Sequence, residues 1–140
     1  MNRILSVLII VLFASLSFAD KIYVEALSQK AALVMIEKGY KHITGVEYGK
    51  LKKGESDYQT LTLYKGVDYS FGFGADQTMK TLKMEIYNEN FDLVKSAKIN
   101  SDEYKIVTLS NVESGPYYVK ITAVDADISG SNWFFHYSYK

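Results

Sequence analysis

From Asp57 to the end of the chain, large apolar and aromatic side chains fall on alternate residues, a period of two that restricts the fold to extended strands buried on one face. In DYQTLTLY (57–64), Leu61 and Leu63 lie on one side and Tyr58, Thr60, Thr62 and Tyr64 on the other. VDYSFGFG (67–74) sets Val67, Tyr69, Phe71 and Phe73 on one face and glycines on the other, where a neighbouring group can approach closely. TLKMEIY (81–87) turns Leu82, Met84 and Ile86 inward and Lys83 and Glu85 outward, and FDLVKSAKI and EYKIVTLS read as two less regular strands. YYVKITAV (117–124) alternates Tyr117, Val119, Ile121 and Ala123 against Tyr118, Lys120 and Thr122, and NWFFHYSYK (132–140) alternates Trp133, Phe135, Tyr137 and Tyr139 against Phe134, His136 and Ser138. Between these runs stand Lys65-Gly66, which signals a tight hairpin, Asn88-Glu89-Asn90, Asn100-Ser101-Asp102 and Ser114-Gly115-Pro116. The pattern predicts an all-β fold, an antiparallel sandwich or jelly roll of about seven or eight strands. Its predicted core is Leu61, Leu63, Tyr69, Phe71, Phe73, Leu82, Met84, Ile86, Val119, Ile121, Trp133 and Phe135.

Before His42 the period is helical. Ser28 is placed to cap a short helix over AALVMIEKGYK, with Ala32, Met35 and Ile36 as its apolar stripe and Gly39 at its end, packing on an edge or end of the sandwich. The first nineteen residues, MNRILSVLIIVLFASLSFA, have the form of a secretory signal. Arg3 precedes an apolar run from Ile4 to Phe13, and Ser17 and Ala19 occupy the −3 and −1 places before Asp20. The run is short for a bilayer span, so no stable membrane anchor is expected in the mature form. The expected organisation is a signal peptide over 1–19 cleaved after Ala19, a helical segment over 20–45 and a β-sandwich over 46–140.

Cleavage leaves 121 residues, enough for one core, with 15 basic residues facing 16 acidic ones. That balance argues against nucleic acid, whose binding requires phosphates to be neutralised by Lys and Arg. An exported chain without cysteine or an Asn-x-Ser/Thr acceptor fits the periplasm or exterior of a bacterium, with stability resting on packing. Twelve tyrosines and seven phenylalanines, concentrated beyond residue 40, suit half-buried pleated surfaces.

Catalytic chemistry is poorly supplied. The absence of cysteine excludes a thiol nucleophile. His42, at the helix end, and His136, read as a partly exposed strand residue, are accompanied by no nucleophile elbow and no zinc-binding histidine pair. DADISGSN copies the first half of a calcium loop at Asp125, Asp127, Ser129 and Gly130, but its twelfth position is His136 and its flanks are strands. It reads better as a polar hairpin loop, and calcium held by Asp125, Asp127 and Ser129 would be held weakly. By strand parity Tyr58, Tyr64, Tyr118 and Phe134 point outward, where rings can stack on sugars, anchor a protein partner or simply pair across strands.

Gly49 and Leu51; Gly54, Tyr58, Leu61 and Leu63; Gly66, Tyr69 and Phe71; Leu82, Met84, Ile86 and Tyr87; and Ser114, Gly115, Tyr117 and Val119 together resemble the motif of the bacterial pre-peptidase C-terminal domain, over about residues 46–139. The chain is also similar to small exported bacterial proteins in which an Ala-Leu-rich helix ending in Gly-Tyr precedes this sandwich. The resemblance implies a β-sandwich that aids substrate binding, surface binding, targeting or secretion. Where many members carry an acidic Asp-x-Asp-Leu-Asp-Leu stretch, ADQTMKTLKM keeps Asp76 but sets Thr81 and Lys83 at the later acidic positions, which removes ligands from any calcium site there. The sequence therefore reads as a non-enzymatic, exported binding or accessory module needing no cofactor. A carbohydrate-binding module using exposed aromatics and a structural partner in an envelope complex are the alternatives.

Overall fold

The computed structural model describes residues 2–100 and 103–140, with side chains described from Asp20 onward. The cleavage reading for 1–19 and part of the turn expected at Asn100–Asp102 lie outside the described side chains. One helix, α1 (Asn2–Glu37), precedes β1 (Thr44–Leu51), β2 (Ser56–Leu63), β3 (Tyr69–Ala75), β4 (Thr81–Tyr87), β5 (Leu93–Asn100), β6 (Tyr104–Leu109), β7 (Gly115–Asp125) and β8 (Ser131–Tyr139). The strands form two four-stranded sheets, ordered β1-β8-β3-β6 and β2-β7-β4-β5, with every pairing antiparallel. This is the predicted antiparallel sandwich, and each of the twelve predicted core residues is buried in it.

The connections differ from the sequence reading. Only β4 and β5 are consecutive strands that pair, so Lys65-Gly66 is not a hairpin but a bend carrying the chain from one sheet to the other, with Gly66 at φ 84°. DADISGSN is likewise a crossover between β7 and β8 in opposite sheets. Turn residues fix the local bend but not which sheet receives the next strand.

The helix also differs. It runs through Ser28, which therefore caps nothing and is buried mid-helix. The buried stripe is Val24, Leu27, Ser28, Ala31 and Met35, whereas Ile36 is 51% exposed. The residues from Ala31 to Ile36 are all apolar, so periodicity alone leaves the phase of the helix undefined. The predicted stop at Gly39 is present: with Gly39 at φ 89°, its N–H donates to Ile36 O (2.9 Å) and the Tyr40 N–H to Met35 O (3.0 Å), a Schellman end.

α1 packs on the outer face of the β1-β8-β3-β6 sheet, over β3, β6 and β8, rather than on an edge or end of the sandwich. Two glycines admit it. A Cβ at Gly74 would lie 2.5 Å from Phe134 Cε1, and one at Gly72 would lie 2.9 Å from Met35 Cε on the helix as well as colliding with His136. The close approach anticipated from those glycines is thus made by α1 and by the rings of β8. Phe134 and His136, expected outward and exposed, do point away from the core but are fully buried beneath the helix.

Candidate functional site

The opposite face, that of β2-β7-β4-β5, carries no helix. Register sets Tyr58 beside Lys120 and Glu85, and sets Thr60, Tyr118 and Tyr87 in the next row. Phe91 follows β4 in the turn to β5 and is 68% exposed, with its ring stacked on Tyr118 at 4.9 Å and 15°. Its position comes from Asn88, whose Oδ1 accepts from the N–H groups of Asn90 (2.9 Å) and Asp92 (3.0 Å) and so extends the turn past Phe91. Phe91 consequently adopts φ 60°, a left-handed conformation costing about 1–2 kcal/mol for a residue with a Cβ. Tyr58, Tyr87, Phe91 and Tyr118 thus form an aromatic platform across β2, β7, β4 and the β4–β5 turn.

Polar groups are set among these rings. The Tyr87 hydroxyl donates to Glu85 Oε2 (2.9 Å), and Lys83 Nζ lies 3.2 Å from the same oxygen. Burial pushes the Glu85 carboxyl up, but the Tyr87 hydroxyl and Lys83 outweigh it and hold it below the ordinary carboxylate range. The same hydrogen bond raises the Tyr87 phenol. Lys120 Nζ sits 5.8 Å from the Tyr58 ring centroid, a cation–π distance.

Next to the platform, sharing the Asn88–Asp92 turn, is a cleft of about 410 Å³. Polar residues of its lining include Asn88, Glu89, Asn90, Asn111 and Glu113, and apolar ones include Val94, Leu109, Val112, Pro116 and Tyr117. Its lining includes two glutamates and no lysine or arginine.

Of the four predicted aromatic positions, the structure brings two together. Tyr58 and Tyr118 share the platform. Tyr64 is 58% exposed but lies just beyond the end of β2, about 20 Å along the chain from Tyr58 at the usual strand rise. Phe134 lies on the other sheet under α1. Tyr87 and Phe91 were not anticipated. The outward parity of Lys83 and Glu85 extends directly to Tyr87, whereas Phe91 read as the first residue of a strand.

Near the calcium-like segment, Asp125 lies 3.7 Å from Lys53 Nζ, and Asp127 Oδ2 accepts from Ser129 Oγ at 2.8 Å. Among the described residues no three acidic or histidine side chains converge on one point. Asp76 is buried and structural: its carboxylate accepts from Thr78 N (2.8 Å), Thr78 Oγ1 (2.6 Å), Asn132 N (2.9 Å) and Asn132 Nδ2 (3.0 Å), tying the end of β3 to the start of β8. His42 stacks on Tyr139 at 5.3 Å, while His136 pairs with Ser28 beneath α1, so the two histidines occupy separate environments.

No family model matches the chain, and no curated protein sequence does. Among solved structures, the pre-peptidase C-terminal domain of a collagenase from Bacillus anthracis aligns with 68% of this chain and 87% of its own, at 14% identity and a TM-score of 0.51. The chain's likeness to that domain, read first in its motifs, is thus a likeness of fold. A periplasmic inhibitor of g-type lysozyme from Aeromonas hydrophila aligns over 74% of this chain and 90% of its own, at 12% identity and TM-score 0.49. A carbohydrate-binding module of type CBM4 aligns over 69% and 72%, at 15% identity and TM-score 0.47. Among the described residues no helix is long and apolar enough to cross a membrane.

Proposed function

We propose that this chain is an exported, non-enzymatic binding module of a bacterial periplasm or exterior, and that its ligand is a glycan lying across Tyr58, Tyr87, Phe91 and Tyr118. Export rests on the charged, apolar and small-residue order of 1–19. The observation that carries the glycan reading is the joint presence of flat exposed rings and fixed polar groups on one face. Phe91, backed by the half-buried Tyr118, and the exposed Tyr58 offer apolar surface to the C–H face of a sugar ring, while Glu85, Lys120 and the cleft amides Asn88, Asn90 and Asn111 supply hydroxyl partners. The ligand-free Phe91–Tyr118 stack holds both rings in place, which reduces the ordering cost on binding.

The test is titration calorimetry against a panel of β-linked hexose and pentose oligosaccharides. Tyr118→Ala and Phe91→Ala are expected to weaken the best ligand at least about tenfold, equivalent to 1.4 kcal/mol, while Tyr64→Ala leaves it unchanged. Absence of measurable affinity across the panel, or equal loss in Tyr64→Ala, overturns the reading.

A further inference from the structure

Between α1 and the sheet beneath it lies a polar layer. Ser28 Oγ and His136 Nδ1 are hydrogen-bonded at 3.2 Å, whereas His136 Nε2, Ser70 Oγ and Ser138 Oγ are buried with no hydrogen-bonding partner among the described residues. Ser70 pairs with Ser138 and Gly72 with His136 across β3 and β8, so the orphaned atoms form one patch. A helix docked for stability alone would cover apolar groups here, because an unpaired buried polar atom weakens the packing around it.

We propose that the Asp20–Glu37 portion of α1 is a strap that lifts from β3, β6 and β8 when His136 takes up a proton, leaving the two-sheet sandwich folded. The strap has its own small cluster, Val24, Leu27, Ala31 and Phe134, separate from the core shared by the two sheets. A hinge stands at one end: Gly39 follows the helix, and Lys140 Nζ binds Lys38 O (3.1 Å) and lies over the Tyr40 ring (4.5 Å).

Among the described residues no carboxylate faces His136 to hold a charged imidazole. The buried face of α1 presents Val24, Leu27, Ser28, Ala31 and Met35, while β3 presents Ser70, Gly72 and Gly74. The titratable groups on the same face are Tyr48 and Lys50 on β1 and Tyr104 on β6. The half-buried carboxyls of α1 are Asp20, which burial and the nearby Asp76 push up against the opposing pull of Lys50, and Glu25, which lines a groove with Lys50 and Tyr48 at the β1 edge. Burial pushes the His136 imidazole down to about 4.

A helix that frees His136 to its ordinary value opens about fifty-fold more at pH 4.5 than at pH 7. The chain has no cysteine, so Ser138→Cys places a single thiol under the strap. Its rate with dithiodipyridine, relative to the unfolded chain at each pH, should rise about fifty-fold from pH 7 to 4.5, with the strand signal in circular dichroism intact. Adding His136→Met should abolish the rise. Where the substituted chain does not fold, hydrogen exchange in the unsubstituted chain decides: amides of 24–37 should lose protection at pH 4.5 while those of 117–125 keep it. Equal protection at both pH values, a rise that survives His136→Met, or strand loss in step with exposure overturns the proposal.

Discussion

The two outer faces of the sandwich obey the same alternation and meet opposite fates. On the β2-β7-β4-β5 sheet the outward ring of Tyr58 is exposed and those of Tyr87 and Tyr118 are half-buried, joined by the exposed Phe91. On the other sheet the outward ring of Phe134 and the imidazole of His136 are sealed under α1. The difference lies in what stands between the rings. Gly72 and Gly74 clear space beside His136 and Phe134, so a helix can settle on β3. The open face instead carries Lys83, Glu85, Lys120 and β-branched threonines between its rings, with no glycine among them. A strand's parity states which way a side chain points, and the residues beside it decide whether that direction ends in solvent.

Four experiments would break or sharpen this contrast. Ile121→Asp, at the centre of the core that both sheets share, should abolish both faces by unfolding the domain. A carboxyl there is fully buried without a partner, a cost beyond about 5 kcal/mol, and circular dichroism should show no cooperative transition. Acid should act on the covered face. His136 titrates lower in the folded chain than its ordinary 6.5, so the unfolded chain takes the proton first. Stability is complete above about pH 6.5 and falls by about 3 kcal/mol as the pH drops toward 4. Urea melts at pH 7 and pH 4 should show this loss in the natural chain and little of it in His136→Met.

Gly74→Val should cost about 2 kcal/mol by driving a side chain into Phe134 and Tyr104, whereas Thr60→Val on the open face should change stability by less than about 0.5 kcal/mol. Thermal melts of the pair measure the contrast directly. Phe91→Gly should stabilise the domain by about 1 kcal/mol by relieving its left-handed backbone, while removing the ring that stacks on Tyr118. Greater stability with lost glycan affinity would mark Phe91 as retained for binding. Unchanged affinity would separate the platform from the proposed function.

Much of the sandwich was legible because burial on a pleated sheet leaves a two-residue rhythm, and every predicted core position from Leu61 to Phe135 is buried. The helix was legible at Gly39 and not in phase, since six consecutive apolar residues offer no preferred face. Tyr58 and Tyr118 could be read as outward, but their meeting with Tyr87 depends on β7 lying between β2 and β4, a long-range pairing that no local pattern contains. Phe91 escaped because the Asn88 side chain captures the N–H groups of Asn90 and Asp92 on either side of it and delays the strand to Leu93. The fate of Phe134 was hidden because nothing in its own strand records that a helix from the start of the chain returns to cover it.

The order of strands has a consequence for biogenesis. In one sheet β8 stands between β1 and β3, and in the other β7 stands between β2 and β4, so each sheet is bridged by a strand from the last fifth of the chain. A growing polypeptide that has emerged only as far as Asn111 holds three of the four strands of each sheet, with β1 and β2 still lacking the neighbour that joins them to the rest. Closure of both sheets waits for β7 and β8, and until those strands arrive the first strand of each sheet hangs free of it.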